Sequence, residues 1–163
     1  MVDVIRALKD YKKSVIRPYY TRRSVVGTAS MFEEDSDLEV DFIEYLEKSK
    51  TVEWWFKNGK SDATYFAVPH VEHGIEKPFY VDFVVIQKGD RIGLFDTKGG
   101  FTAETAKSRA EGLAKYIAEE NKKGKKLFGG IVLKDKNSWR INDSKKYEYN
   151  PSDLKNWKFL NLN

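Results

Sequence analysis

Apolar and polar positions change period several times along this chain, and each change marks an element. In "DSDLEVDFIEYLEKS", Leu38, Phe42, Ile43 and Leu46 recur at helical spacing, which predicts a helix with Ser36 or Asp37 as its cap. Glu39 lies three, four and seven residues before Phe42, Ile43 and Leu46, so a carboxylate falls on the apolar stripe. Glu44 lies off that stripe. Upstream, "VDVIRALKDYKKSVI" has the spacing of a short helix, and Pro18 and Gly27 then break the pattern. Residues 1–35 read as an approach segment, and residues 36–163 as the domain.

"TVEWWFKNG" reads as a strand ending in an Asn-Gly turn, its consecutive aromatics predicting burial on both faces. "TYFAVPHV" is a second strand, with Pro69 at an end or edge. "PFYVDFVVIQKGDRIGLFDTKGG" then forms a hairpin around a short polar turn. "TAETAKSRAEGLAKYIAEENKKG" predicts one long helix, capped by Thr102 or Thr105 and ended by Gly124. "KKLFGGIVLK" is a buried strand reached through that helix, which predicts a right-handed crossover and parallel pairing. "SWRIN" and "KYEYN" are short late strands, and "DLKNWKFLNL" is a terminal cover. The coarse order is αβββαβ with short extra C-terminal strands, an α/β fold with a mixed sheet flanked by helices.

Composition narrows the chemistry. The 163 residues suit one domain with a core of its own. There is no cysteine, which excludes a disulfide framework, a thiol nucleophile and a thiolate-held zinc. No apolar run approaches the ~18 residues of a membrane span, and the first residues lack a signal-peptide pattern. No membrane partner and a cytoplasmic location are the expectation. Net charge is +4, unevenly placed: from Phe101 onward there are 14 Lys/Arg against 8 Asp/Glu. That basic half, with Trp139 and Tyr147 interleaved, favours an anionic partner such as nucleic acid. A solvated lysine-rich face reads equally well for any single lysine.

The hairpin carries three charges in strands that are otherwise apolar. Asp96 and Lys98 flank Thr97 and point the same way. If Lys88–Asp90 is a three-residue turn, Gln87 faces Arg91 and Asp82 faces Asp96. Two carboxylates so placed repel each other unless a cation joins them. Lys98 supplies one charge, and an oxygen-only ligand set suits Mg²⁺, with Mn²⁺ as a substitute, better than zinc. Such a centre can polarise a phosphodiester. The plainer reading is a buried Asp–Lys pair at the end of a sheet. An inward Glu39 on a separate helix tips the balance towards a site.

An Asp at a strand, a gap, then Asp-x-Lys on the next strand resembles the PD-(D/E)XK restriction-endonuclease superfamily. "YVDF" stands for its first half and "DTK" for its second. The blocks "LEVDFIEYLEKSKTVEWWFKNG", "YFAVPH", "PFYVDFVV", "LFDTKGG" and "TAETAKSRAEGLAKYI" are similar to the nuclease domain at the C-terminal end of type III-like restriction helicase subunits. The resemblance implies a restriction-endonuclease-like core of four central strands and Mg²⁺-dependent DNA cleavage in a restriction-type system. It makes Asp82 and Asp96 metal ligands, with the Thr97 carbonyl a third. Lys98 becomes the catalytic amine, and Glu39 the helix carboxylate holding water at the metal. Val81 replaces the usual proline, and no P-loop is present, so a helicase or translocase partner would lie elsewhere. A catalytically silent nucleic-acid-binding or docking module of the same fold is the alternative, and RNA is a further possible substrate.

Remaining signals are weaker. His70 and His73 are spaced i, i+3 but sit between Pro69 and Gly74, which does not suit a zinc pair. His70, Lys107 and Arg109 are candidate nucleic-acid contacts. Gly99 and Gly100 would let the chain turn sharply beside a phosphate. Trp54 and Trp55 read as core or interface.

Overall fold

The computed structural model of the chain describes residues 37–59 and 65–163, so the predicted N-terminal helix and Ser36 lie outside the described residues. Helix α1, Asp37–Lys48, buries Phe42, Ile43 and Leu46, the stripe expected from their spacing, and Glu39 is buried with them. Strand β1 is Val52–Lys57, and β2, Val68–Glu72, pairs with β3, Ile75–Phe79. Strands β4, Phe83–Gln87, and β5, Arg91–Thr97, form the expected hairpin. Helices α2, Phe101–Glu104, and α3, Lys107–Lys122, lead to β6, Leu127–Asp135. Strands β7, Ser138–Asn142, and β8, Lys158–Phe159, close the order.

The main sheet has the order β1-β4-β5-β6-β7-β8, and β6 runs parallel to β5 while the other neighbours are antiparallel. It is a mixed sheet flanked by helices. Its two central-hairpin faces bury different partners. Phe83, Val85 and Phe95 pack under Phe42 of α1, whose ring meets those of Phe83, Phe95 and Trp139 edge-on at 5.2, 5.6 and 4.9 Å. Leu94 faces the other way, into a cluster with Leu113 of α3 and with Val68 and Phe79 of the small hairpin. Each such side chain contributes about 1.5–3 kcal/mol when taken fully from water. Both faces of β4 and β5 are therefore covered, one fully and one in part, and a charge buried at their ends is costly unless partnered.

Four expectations change. "TYFAVPHV" does not join the main sheet: Val68–Glu72 pairs with Ile75–Phe79 in a two-stranded sheet of its own, around a His73–Gly74 turn whose residues have φ of 52° and 76°. The terminal cover supplies a strand, Lys158–Phe159, which with the expected late strand Ser138–Asn142 brings the main sheet to six. The long helix is two, because the chain leaves helical geometry at Thr105 and restarts after Ala106, which caps α3 without a side-chain hydrogen bond. "KYEYN" is not a strand; Tyr147 and Tyr149 instead turn onto Trp157, with ring centroids 5.7 and 6.0 Å away.

Two close approaches fix the packing. Gly129 has φ of 128°, and any side chain there would run into the Leu94 carbonyl of the neighbouring strand. Gly112 of α3 lies so near β2 that an added Cβ would stand 2.6 Å from the Cβ of His70.

Candidate functional site

The turn between β4 and β5 is the three-residue Lys88–Asp90, with Gly89 and Asp90 at φ of 81° and 60°. It sets Gln87 opposite Arg91 and Phe83 opposite Phe95, the register the turn length predicts. One step further, Asp82 lies at a bend just before β4, level with Asp96 at the end of β5. Its main chain is anchored: the Asn58 N–H donates to the Asp82 carbonyl at 2.8 Å. Asn58 is itself held through its side-chain amide, which donates to the Phe66 carbonyl at 2.7 Å and accepts from the Phe66 N–H at 3.2 Å. The Asp82 Oδ2 accepts from the Thr97 N–H at 2.9 Å and from the Thr97 hydroxyl at 2.8 Å. Strand ends that would otherwise fray are thus cross-tied at the site.

Asp96 is 1% exposed, and the Lys98 Nζ lies 2.6 Å from its Oδ2. That ammonium is the one close cation on a buried oxygen for which no other donor stands among the described residues. Burial, and then the negative charge of Asp82, push the Asp96 carboxyl up to about 7, against the pull of Lys98. Burial works on Asp82 in the same sense, but the charges of Lys57 and Lys98 and the two bonds from Thr97 outweigh it and hold that carboxyl below its ordinary range. Burial alone would lower the Lys98 amine; Asp96 and Asp82 overcome this and raise it. The centre is therefore one ionised carboxylate, one carboxyl poised near neutrality and a fixed ammonium.

Glu39 is buried and faces inward as predicted, while Glu44 is exposed. Its Oε1 accepts from the Lys57 ammonium at 3.2 Å. Lys57 is missing from the sequence reading. It is 5% exposed, its Nζ lies 5.4 Å from the centroid of the Phe83 ring, and its charge also acts on Asp82. The signal was alternation: Lys57 stands two residues after Trp55, which is 1% exposed, so both point inward. Three aromatics in succession obscure that period.

Around this centre, Gly100 takes φ of 52°, and the Thr102 hydroxyl ties the turn by donating to the Gly99 carbonyl at 2.7 Å. Arg109 is exposed on α3 near the Phe79 ring, close enough for its charge to act on Lys98. Lys107 is exposed and 3.9 Å from Glu111. His70 is buried on β2, with Nδ1 3.3 Å from the Ser108 hydroxyl, and burial followed by the Arg109 charge lowers its basicity. A cleft of about 890 Å³ between the small hairpin and α3 is lined by residues including His70, Glu72, Glu76, Lys107, Glu111 and Lys115. It excludes Asp82, Asp96 and Lys98, and its mixed signs make no phosphate track.

Among the described residues, no group of three or more His, Asp or Glu side chains is arranged to hold a metal ion. Asp82 and Asp96 do interact directly, and the pair brings two carboxylates together against the one ammonium that touches Asp96. Two hard carboxylates fit Mg²⁺, which is commonly held by one or two protein oxygens and keeps its remaining waters. Among the described residues no helix is long and apolar enough to cross a membrane.

Residues 25–148, which include every candidate named here, match the model of the YagJ family. No curated protein and no solved structure matches the chain.

Proposed function

The chain belongs to the YagJ family, and we propose that it is a Mg²⁺-dependent nuclease that hydrolyses DNA phosphodiester bonds. The observation that carries this reading is the meeting of Asp82, Asp96 and Lys98 at one end of the β4–β5 hairpin, against a buried Glu39–Lys57 pair. The helix before β1, the strands β1, β4, β5 and β6 and the helices before β6 support a PD-(D/E)XK-type core, to which β7 and β8 are additions.

In this reading Asp82, Asp96 and the Thr97 carbonyl hold the ion. Bound there, Mg²⁺ would supply Lewis-acid stabilisation of the phosphate and make water a better nucleophile at neutral pH. Thr97 keeps Asp82 aimed by donating twice to its Oδ2. Lys98 places its ammonium where negative charge gathers on the scissile phosphate. Glu39, held by Lys57, orients the attacking water in line with the leaving oxygen. Arg109, exposed beside Lys98, contacts the backbone, and Lys107 extends that contact along α3. A helicase or translocase partner would bring site choice.

The test is incubation of the purified chain with plasmid and short duplexes in Mg²⁺, Mn²⁺ or EDTA, with Asp96→Ala and Lys98→Ala in parallel. Metal-dependent products that both substitutions abolish are the expected result. Identical products from wild type and variants would sink the proposal. A second reading, a catalytically silent nucleic-acid-binding or docking module, draws on the lack of a three-acid metal group among the described residues. It predicts retention of DNA with no cleavage in any metal.

A further inference from the structure

We infer that Phe101 is a stacking platform for an unpaired nucleobase, so that the site takes DNA that is single-stranded or frayed at the point of cleavage. The inference deepens the nuclease reading by naming its substrate class, and rests on it. Phe101 opens α2 directly after the Gly99–Gly100 turn, three residues beyond Lys98. It is 76% exposed, more than any other large apolar side chain among the described residues. A ring left in water forgoes the stabilisation that its burial would bring. Phe159, the next most exposed, has a use within the fold, because the Arg140 guanidinium lies 4.1 Å from its ring centroid. Phe101 carries no such cover among the described residues.

The ring is exposed, but the backbone that carries it is fixed. The Thr102 hydroxyl accepts from the Gly99 N–H at 3.0 Å and donates to the Gly99 carbonyl at 2.7 Å. The Phe101 carbonyl accepts from the Thr105 N–H at 3.2 Å. Ala103 is wholly buried, and its carbonyl accepts from the Tyr147 hydroxyl at 2.6 Å. Burial, then the charges of Tyr149 and Asp96, raise that hydroxyl, so the tie lies within reach of the Asp82–Asp96 pair. On the side of α1, an added Cβ at Gly99 would stand 3.7 Å from Leu38, the residue before Glu39. Phe101 therefore stands on a preset mount at the edge of the charged centre, and stacking on it costs little ordering. Lys98, and Arg109 whose charge reaches it, make that edge cationic. An aromatic face beside fixed cations holds a base and its phosphate together, and every base offers a π-face. In an intact duplex both faces of a base are already stacked on its neighbours. A ring beside the backbone meets a base only where that base has left the stack, which costs least in a single strand or at an unpaired end.

The experiment measures binding of the full-length chain in Ca²⁺ at fixed salt, to a short oligothymidine strand by anisotropy and to closed circular duplex by gel retardation. Phe101→Ala, Phe101→Leu and Phe101→Trp are run beside wild type, with circular dichroism to check folding. Wild type is expected to prefer the strand. Phe101→Ala and Phe101→Leu should weaken strand binding about tenfold, Phe101→Trp should retain it, and closed duplex should change by less than about twofold in all three. A strand carrying one 5-iododeoxyuridine, irradiated on the protein, should form its adduct at Phe101, located by peptide mass spectrometry. Unchanged strand binding in Phe101→Ala, full binding by Phe101→Leu, which keeps apolar surface without a π-face, or an equal loss on closed duplex would each overturn the inference. Cleavage in Mg²⁺ keeps the two levels apart. If Asp96→Ala and Lys98→Ala abolish cleavage while Phe101 changes nothing, the nuclease reading stands and this inference falls. If Phe101 governs strand binding but no metal supports cleavage, the platform stands and the nuclease reading falls. No binding of either DNA by wild type overturns both.

Discussion

Replacing Asp96 by asparagine removes an ionisation that burial and Asp82 oppose. The carboxyl moves from an ordinary 3.8 to about 7 in the folded chain. Between those values the native state binds one more proton at this group than the unfolded chain does, so unfolding free energy falls as pH rises. The stabilising protonated form is fully present below the unfolded value and is lost as pH climbs through about 7. Over the two pH steps from 5 to 7, at ~1.36 kcal/mol each, the loss is about 3 kcal/mol. Asp82 does not blur this window. Its lowered carboxyl gives stability that is present above its ordinary 3.8 and is lost only as pH falls below it. Lys98 does not blur it either: its amine is raised and stays charged throughout, so the partner it loses in Asp96→Asn adds a constant offset. The assay is urea or guanidinium unfolding of wild type and Asp96→Asn at several pH values from 5 to 8.5. The stability of Asp96→Asn relative to wild type should rise by about 3 kcal/mol across the range. A difference that stays flat within about 0.5 kcal/mol, near the scatter of additive mutations, would refute the electrostatic account.

Under the proposed nuclease reading, the same ionisation governs the ion. Mg²⁺ held by Asp96 needs that carboxyl deprotonated, so its apparent affinity should fall about fivefold between pH 7 and pH 6, and its effect on the thermal midpoint should be larger at pH 8 than at pH 6; equal effects would count against Asp96 as a ligand. Lys98→Ala should slow cleavage by about 10²-fold or more while leaving duplex binding in Ca²⁺ nearly unchanged, as measured by anisotropy. Phe42→Ala removes a ring that meets Phe83, Phe95 and Trp139 and should cost about 3–5 kcal/mol in denaturant unfolding. Gly129→Ala forces a side chain into the Leu94 carbonyl at a positive φ and should prevent β5–β6 pairing, seen as loss of soluble, cooperatively unfolding protein.

The elements that sequence pattern revealed are those whose burial is periodic. Leu38, Phe42, Ile43 and Leu46 mark α1 because a helix returns to the same face every turn, and that stripe made Glu39 conspicuous. The Asp82–Asp96 register was legible because one short turn dictates it. Strand β3 was not, since Ile75, Glu76, Lys77 and Pro78 are all exposed and no core face imprints an alternation on them. The break between α2 and α3 lacks a Gly or Pro at Thr105–Ala106, so no local residue announces it. "KYEYN" has the alternation of a strand, but its tyrosines pack onto Trp157, a tertiary contact that propensity cannot see. Lys57 escaped because a lysine near a strand end ordinarily extends into water, and its two acidic partners come from elements distant in sequence.

The near-contact of Gly112 with His70 has a mechanical corollary. The β2–β3 hairpin has no ladder to the main sheet and shares its apolar contacts with α3 and the Leu94 face. Its amides should therefore exchange with solvent in step with those of α3, as one opening unit, and more readily than the amides joining β4, β5 and β6. A bulkier residue at 112 would act as a wedge, uncoupling that unit from the rest and leaving the hairpin to breathe alone.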